Sequence, residues 1–250
     1  MASFALLVLI AFVVGALIGA VGVGGILLIP ALEVLARLGI HQAMATALFT
    51  FIFTGVAGTV LFERKGSIDW RMTVPVCWGA LVFAFGGAWL NSLARPQALL
   101  FLLAGLIIFA GAYTLVTLRT APRLMGSVPS APRTMLLAAV GATTGLGSGL
   151  TGVGGPALSV PLMVVLGFPA LASIGTGQVI QIIAALSGTL GNLSFGSIDF
   201  RLALPVTLAE IIGVLVGVRW AHSVNHLALR RFVGLLCMAV GLFVLARALS

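Results

Sequence analysis

Long apolar runs alternate with short polar gaps along the whole chain. An α-helix of about 20 residues crosses a hydrocarbon core of roughly 30 Å, and most of the runs approach that length. A transmembrane β-barrel would show alternating ten-residue segments, which this sequence lacks. The pattern predicts an all-α polytopic membrane protein whose apolar segments are 4–21, 26–37, 43–62, 72–90, 97–118, 134–151, 156–166, 170–195, 202–221 and 231–248.

The two halves of the chain resemble each other when one is shifted by 130 residues. The stretch "GVGG" at 22–25 then falls on "GVGG" at 152–155, and "GSIDWRMTVP" falls on "GSIDFRLALP". In both GSID copies an aspartate, Asp69 or Asp199, stands where a helix N-cap is expected. The sequence therefore predicts two homologous repeats, and secondary transporters commonly place a binding site between such repeats.

The predicted repeats are residues 1–118 and 134–250, joined by a loop at 119–133 that contains three prolines. Each repeat begins with a glycine-broken helix or helix hairpin and continues with three transmembrane helices. If the broken element returns as a hairpin, each half crosses three times and the repeats are inverted. Nine basic residues then lie on one face and four on the other, which places both termini outside. A single crossing would make the repeats parallel and divide the charges eight to five, so we favour the inverted arrangement.

The two glycine breaks are the first candidates for a binding site. Gly155 precedes Pro156, and proline is favoured at the first position of a helix. Two helix N-termini, one from each half, would present unpaired N–H groups and positive dipole ends to an anion. Tight helix crossing is the alternative role for glycine, and we favour it for Gly15 and Gly19. For the breaks we favour substrate binding by Gly22, Gly24, Gly25, Gly152, Gly154 and Gly155.

Polar residues inside the apolar runs complete the candidate site. Threonine hydroxyls often bond to their own helix, whereas buried glutamine amides make good donors to an oxyanion. Glu210 lies about eight residues into its apolar run, and an intramembrane carboxylate is a functional candidate. We interpret it as a proton-coupling residue, although its counterpart in the first half is Ala80. The further candidates for substrate binding are Thr46, Thr50, Thr176, Gln178 and Gln181.

The amino-acid composition of the chain limits the classes of function that this protein can have. Hydrophobic residues make up 61% of the chain and charged residues 7%, and the net charge of +8 comes from basic residues in the polar gaps. That distribution indicates membrane topology and no nucleic-acid partner. We find no metal-ligand spacing, nucleophile elbow or phosphate-binding loop, so we expect no metal, no cofactor and no enzyme. The expected partners are a small anionic substrate and the lipid bilayer; a homodimer is left open.

The repeated "GVGG…P" break, the triplets "MAT" and "IGT" around Thr46 and Thr176, and the two "GSID" gaps resemble the sulfite exporter TauE/SafE family of membrane permeases. The resemblance implies a multi-pass protein of the bacterial inner membrane. It also implies secondary transport of a small sulfur-containing anion such as sulfite or an organosulfonate, as export coupled to an ion gradient. An anion channel is the alternative, and an intramembrane enzyme is a weaker one because Glu210 is the lone titratable candidate.

Overall fold

A computed structural model describes residues 2–22, 24–116, 130–195, 198–221 and 226–249. In these ranges the chain folds into ten α-helices and one short 3₁₀ helix. In chain order they are α1 (Ala2–Val21), the 3₁₀ helix (Gly25–Leu27), α2 (Leu28–Leu35), α3 (Ile40–Arg64), α4 (Trp70–Leu93), α5 (Pro96–Val116), α6 (Ser130–Thr151), α7 (Pro156–Val165), α8 (Ala170–Phe195), α9 (Phe200–Ala221) and α10 (His226–Leu249).

The helices confirm the prediction of an all-α membrane protein. Six of those in the described ranges, α1, α3, α4, α5, α8 and α9, are long and apolar enough to cross a membrane. Large apolar side chains also cover the outside of the molecule, such as Trp78, Val82 and Leu204, each 66% exposed. In water such a surface would be unfavourable, whereas in a bilayer it faces lipid tails of similar polarity.

Helices from the two halves pack against each other at glycine-lined crossings. Gly15 on α1 lies directly against the main chain of Glu210 on α9, and Gly145 on α6 lies against Ala80 on α4. The two contacts are related by the 130-residue shift. The close crossing predicted for Gly15 is thus confirmed, because a side chain there would meet backbone atoms of the facing helix.

Helices α3 and α8 are counterparts in the two predicted repeats, and they run antiparallel. Gly55 lies against Ile182 at one level of the pair, and Leu48 lies against Gly188 at another. Antiparallel counterparts are what inverted repeats require, since parallel repeats would keep them in the same direction. The repeat organisation and its inversion stay predictions that this contact pattern supports.

The predicted N-caps are confirmed at the starts of α4 and α9. An Asp69 side-chain oxygen accepts a hydrogen bond from the N–H of Arg71 at 3.0 Å. An Asp199 oxygen accepts from the N–H groups of Arg201 and Leu202 at 3.0 and 3.1 Å. These bonds satisfy donors that the first helical turn leaves free.

Two predicted gaps fall partly outside the described residues. Residues 117–129, which include most of the predicted loop at 119–133, are not described, and residues 130–133 form the first turn of α6. In the second GSID copy, positions 196–197 are likewise outside the described ranges. The domain boundaries therefore stay predictions.

Candidate functional site

The second glycine break separates α6 from α7. The chain leaves α6 through Gly152, whose φ of +68° is in the left-handed region, and Gly154 has a φ of +83°. Helix α7 then begins at Pro156 with Gly155 as its N-cap residue, as the sequence predicted. Glycine is required at the two positive-φ positions because other side chains rarely adopt that conformation.

The first glycine break joins α1 to α2 with a different geometry. Gly22 follows α1 with a φ of +76°, and Gly24 precedes the 3₁₀ turn that begins at Gly25. No proline starts this arm; Pro30 lies inside α2 instead. The two breaks therefore share glycine positions but not the same helix start.

The two breaks meet around the ring of Phe51, which is fully buried in the middle of α3. A methyl group at Gly25 would lie 2.7 Å from Phe51 Cζ and 3.1 Å from the carbonyl oxygen of Val153 in the other break. A methyl group at Gly154 would lie 3.0 Å from Phe51 Cδ2. One edge of the ring thus contacts both breaks, and it fills the space between them.

Several buried N–H groups at the two breaks lack backbone acceptors. Within the described residues, the N–H groups of Gly24, Gly25, Gly154 and Gly155 donate to no backbone carbonyl. All four residues are buried. Buried backbone donors are nearly always paired in folded proteins, so these groups, of which those of Gly25 and Gly154 lie at the Phe51 ring, call for an acceptor from a ligand or from another conformation.

The two candidate glutamines of α8 donate across the core. The Gln181 amide donates to the Phe51 carbonyl oxygen at 3.2 Å and to Thr54 Oγ1 at 2.7 Å. The Gln178 amide donates to the carbonyl oxygen of Ile18 at 3.1 Å, while its own oxygen has no partner within the described residues. Their donors therefore join α8 to α1 and α3 in this conformation.

The counterpart threonines Thr46 and Thr176 each contact an element of the other half. Thr46 accepts a hydrogen bond from the Asp199 N–H at the start of α9, at 3.0 Å. Thr176 Oγ1 lies 2.9 Å from Thr73 Oγ1 on α4. Both hydroxyls thus hold α3 and α8 against the first turns of helices from the other half of the chain.

Glu210 is buried in the middle of α9, and neither carboxylate oxygen has a hydrogen-bond partner within the described residues. The Thr50 side chain lies beside it, but the Thr50 hydroxyl donates its proton to the Ala47 carbonyl oxygen at 2.9 Å. An unpaired charge is costly to bury, and such a group inside a membrane protein is a functional candidate.

The structure brings some predicted residues together and separates others. Gly25 and Gly154 meet at Phe51, whereas Gly24 packs against Val14 of α1. Gly155 faces α8, and its side-chain position lies 3.1 Å from the Gln181 main-chain nitrogen. The outer glycines, Gly22 and Gly152, pack instead against Val160 and Met44, respectively. Sequence reasoning missed Phe51, because one apolar residue within an apolar helix carries no sign of its contacts.

A bundle of membrane-spanning helices with interrupted helices and an unpaired carboxylate in its core defines a polytopic membrane protein of the transporter class. A model of the sulfite exporter TauE/SafE family matches residues 7–244. The chain therefore belongs to this family of membrane transporters, and it is not an enzyme.

Similarity to known proteins extends over nearly the whole chain. The probable membrane transporter protein YdhB of Bacillus subtilis is 28% identical, over 96% of this chain and 99% of its own length. A probable membrane transporter protein of Xylella fastidiosa is 28% identical, over 94% and 92%. One from Methanocaldococcus jannaschii is 24% identical, over 96% and 94%. No solved structure matches the chain significantly.

Proposed function

We propose that this protein is a secondary permease of the bacterial inner membrane that exports a small sulfur-containing anion, such as sulfite or an organosulfonate. The observation that carries the proposal is the set of four buried N–H groups at Gly24, Gly25, Gly154 and Gly155 without backbone acceptors. Sulfite and sulfonates share three oxygen atoms on one sulfur. Such a group accepts hydrogen bonds from several directions, which suits donors that converge from two chain segments.

The electrostatics of the breaks support an anion more than a cation. A helix N-terminus carries roughly +0.5 elementary charge, so the starts of α2 and α7 together offset about one negative charge. Helix α7 has 10 residues and is about 15 Å long, which is half the thickness of a hydrocarbon core. The second break therefore fits the middle of the membrane, where an anion needs such compensation.

The ring of Phe51 fills the space between the breaks, so the described conformation is a closed one. An anion reaches the N–H groups of Gly25 and Gly154 when the ring leaves that space. Movement of one repeat relative to the other around a midplane site is the usual mechanism of secondary transport. In this protein it would separate the broken arm of one half from α3 or α8.

The position of Glu210 supports proton coupling. Thr50, which lies beside its carboxylate, directly precedes Phe51 in α3. The carboxylate and the substrate site thus contact consecutive residues of one helix. A proton that binds or leaves Glu210 changes a charge next to Thr50, and a shift of this turn of α3 would move the Phe51 ring.

Uptake by purified protein in proteoliposomes tests the proposal. Sulfite, sulfoacetate, taurine, thiosulfate and sulfate are offered separately, with and without a proton gradient. We expect saturable uptake of sulfite or an organosulfonate that responds to the gradient. Flux that neither saturates nor responds to the gradient would indicate an anion channel. Absence of flux for every anion, with the protein folded and inserted, would contradict the proposal.

A further inference from the structure

The contact between α3 and α9 contains a row of polar groups that ends at Glu210. At the start of α9, Thr46 accepts a hydrogen bond from the Asp199 N–H at 3.0 Å. Thr50, one turn further along α3, has its side chain beside the Glu210 carboxylate. Thr46 and Thr50 are fully buried, whereas Asp199 is only partly buried. The row therefore leads from the membrane face at which α9 begins to the buried carboxylate.

Thr207 adds a further hydroxyl to this contact. It is buried, and its hydroxyl has no hydrogen-bond partner within the described residues. Phe200 lies two helical turns earlier, on the same face of α9, and its ring packs against that of Phe49 on α3 with centroids 5.3 Å apart. Thr207 thus faces α3, one turn before Glu210, whose carboxylate oxygens also lack partners. Unpaired polar atoms this close together in a buried contact call for a shared partner, and water is the smallest that serves both.

The equivalent contact of the other half is apolar beyond its first threonine. Under the 130-residue shift, α4 and α8 correspond to α9 and α3, and Thr73 Oγ1 lies 2.9 Å from Thr176 Oγ1 where these two helices begin. Deeper in this contact, the counterparts of the polar groups belong to or pack against one hydrophobic cluster: Cys77, Ala80 and Ile180. Burying unpaired hydroxyls costs free energy, so their presence only beside the carboxylate is not explained by packing.

The polar groups lie on one side of Glu210 along α9. Beyond it, the buried residues of the helix as far as Ala221 are glycine, alanine and valine. Within Ala2–Val21, α1, which packs against α9 at Glu210, has no titratable side chain. Arg201 and Arg219 of α9 are exposed near its ends. The titratable side chains of α3 stand in its first and last turns: His41, Glu63 and Arg64. In the described spans of these three helices, no other charged group therefore faces the carboxylate.

We propose that Glu210 takes up its proton from the membrane face at which α9 begins, through water molecules held between α3 and α9 by the hydroxyls of Thr46, Thr50 and Thr207. This inference rests on the proton coupling proposed above. Side chains one helical turn apart are separated by about 5–6 Å, roughly two hydrogen-bond lengths, so one water molecule between each pair completes the chain. Each member accepts a proton from the side of the entrance and passes its own proton onward. The chain thus ends unchanged, and the Glu210 carboxylate becomes neutral.

Time-resolved infrared spectroscopy of the reconstituted protein tests the direction of uptake. The signal is the carbonyl band of protonated Glu210, identified as the band that Glu210→Gln lacks. In the predicted topology α9 and α10 cross the membrane and return, so vesicles captured through a tag at Ser250 expose the face at which α9 begins. An impermeant caged acid is released outside these vesicles and outside those of the opposite orientation. We expect the band to rise about tenfold faster in the captured vesicles, because the other approach passes apolar residues alone.

Substitutions in the same assay test the hydroxyls. Thr207→Val keeps the shape of the side chain but should slow the rise about tenfold, since it removes one hydrogen-bonding group of the chain. Thr207→Ser keeps the hydroxyl and should retain the rate. Cys77→Val, at the equivalent position of α4, is the matched control and should leave the rate unchanged. If Thr207→Val does not fold, Thr50→Val removes the neighbouring hydroxyl and should slow the rise in the same way.

The outcomes separate this route from the permease function. Equal rates from the two faces of the unaltered protein, or an undiminished rate in folded Thr207→Val, would overturn the route while leaving proton coupling intact. A carbonyl band of Glu210 that never appears would overturn both the route and the coupling. The assay contains no transported anion, so a failure of anion uptake would contradict the permease function without changing these rates.

Discussion

The main chain of Glu210 on α9 lies directly against Gly15 on α1, with no side chain between the two helices. Helix α1 continues from this contact to Val21, where the first glycine break begins. The helix that bears the unpaired carboxylate is thus fixed against the helix that leads into the break. We expect a shift of α9 that follows a change of charge at Glu210 to reach α1 through this backbone contact.

Gly15→Val should strongly reduce the yield of folded protein, because its side chain would overlap the Glu210 main chain. Overpacking commonly costs about 1–3 kcal/mol, and a backbone clash at a helix crossing belongs at the upper end. Gly86→Val on α4 is the matched control, since nothing lies within 4 Å of its side-chain position. The monodisperse fraction and thermal midpoint of both variants in detergent check this. Equal values would show that the crossing tolerates a side chain.

Glu210→Gln should slow transport driven by a proton gradient while expression stays near normal. The amide keeps the shape of the side chain but carries no proton across the membrane. Glu63→Gln is the control, because Glu63 is exposed and accepts a hydrogen bond from Trp70 Nε1. Initial rates in proteoliposomes are compared over a series of imposed pH differences. A Glu210→Gln protein with the pH response of the unaltered chain would remove this residue from the mechanism.

The local elements of the fold were predictable because short-range chemistry decides them. Pro156 after a glycine marks the start of α7, and aspartates in the GSID copies cap α4 and α9. Apolar runs predicted every described helix to within five residues at each end. These features depend on a few neighbouring residues, so one sequence is enough to find them.

The partners of the site residues were not predictable in the same way. Gln181 was expected to offer its amide to a substrate, yet that amide donates to Phe51 and Thr54 in this conformation. The contact of both breaks with Phe51 depends on how α3 fits between the halves. Apolar periodicity specifies which face of a helix is buried, but it does not specify which side chain of that face meets which glycine.

The inverted arrangement predicts opposite membrane faces for a tag at Ser250 and a tag in the 119–133 loop. Its physical basis is the odd number of crossings in each half and the antiparallel course of α3 and α8. Accessibility of each tag to an impermeant reagent in intact cells is the measurement, with permeabilised cells as the control. If both tags lie on the same face, the inverted arrangement is wrong and the parallel arrangement remains.

Gly155→Val should abolish transport, because a branched side chain would block access of an anion to the backbone of the second break. The same side chain would approach Ile180 and the Gln181 main chain, so loss of folding must be separated from loss of binding. Gly155→Ala is the milder variant, and we expect weakened binding in a folded protein. Gly188→Ala is the control, since its side-chain position meets the flexible tip of Leu48 at 3.1 Å and the Gly149 main chain only at an ordinary contact distance of 3.7 Å.

For the Gly155 variants, anion binding to the purified protein is measured through the thermal stabilisation that the anion produces. Uptake in proteoliposomes is measured alongside. A ligand that binds only the folded state stabilises it by RT ln(1 + L/Kd), where L is the free ligand concentration, so weaker binding gives less stabilisation at the same ligand concentration. We expect stabilisation by the transported anion to persist in Gly188→Ala, to diminish in Gly155→Ala and to vanish in Gly155→Val. Undiminished anion affinity in a folded Gly155→Val protein would mean that the glycines serve packing alone. The donors at the breaks would then not form the binding site.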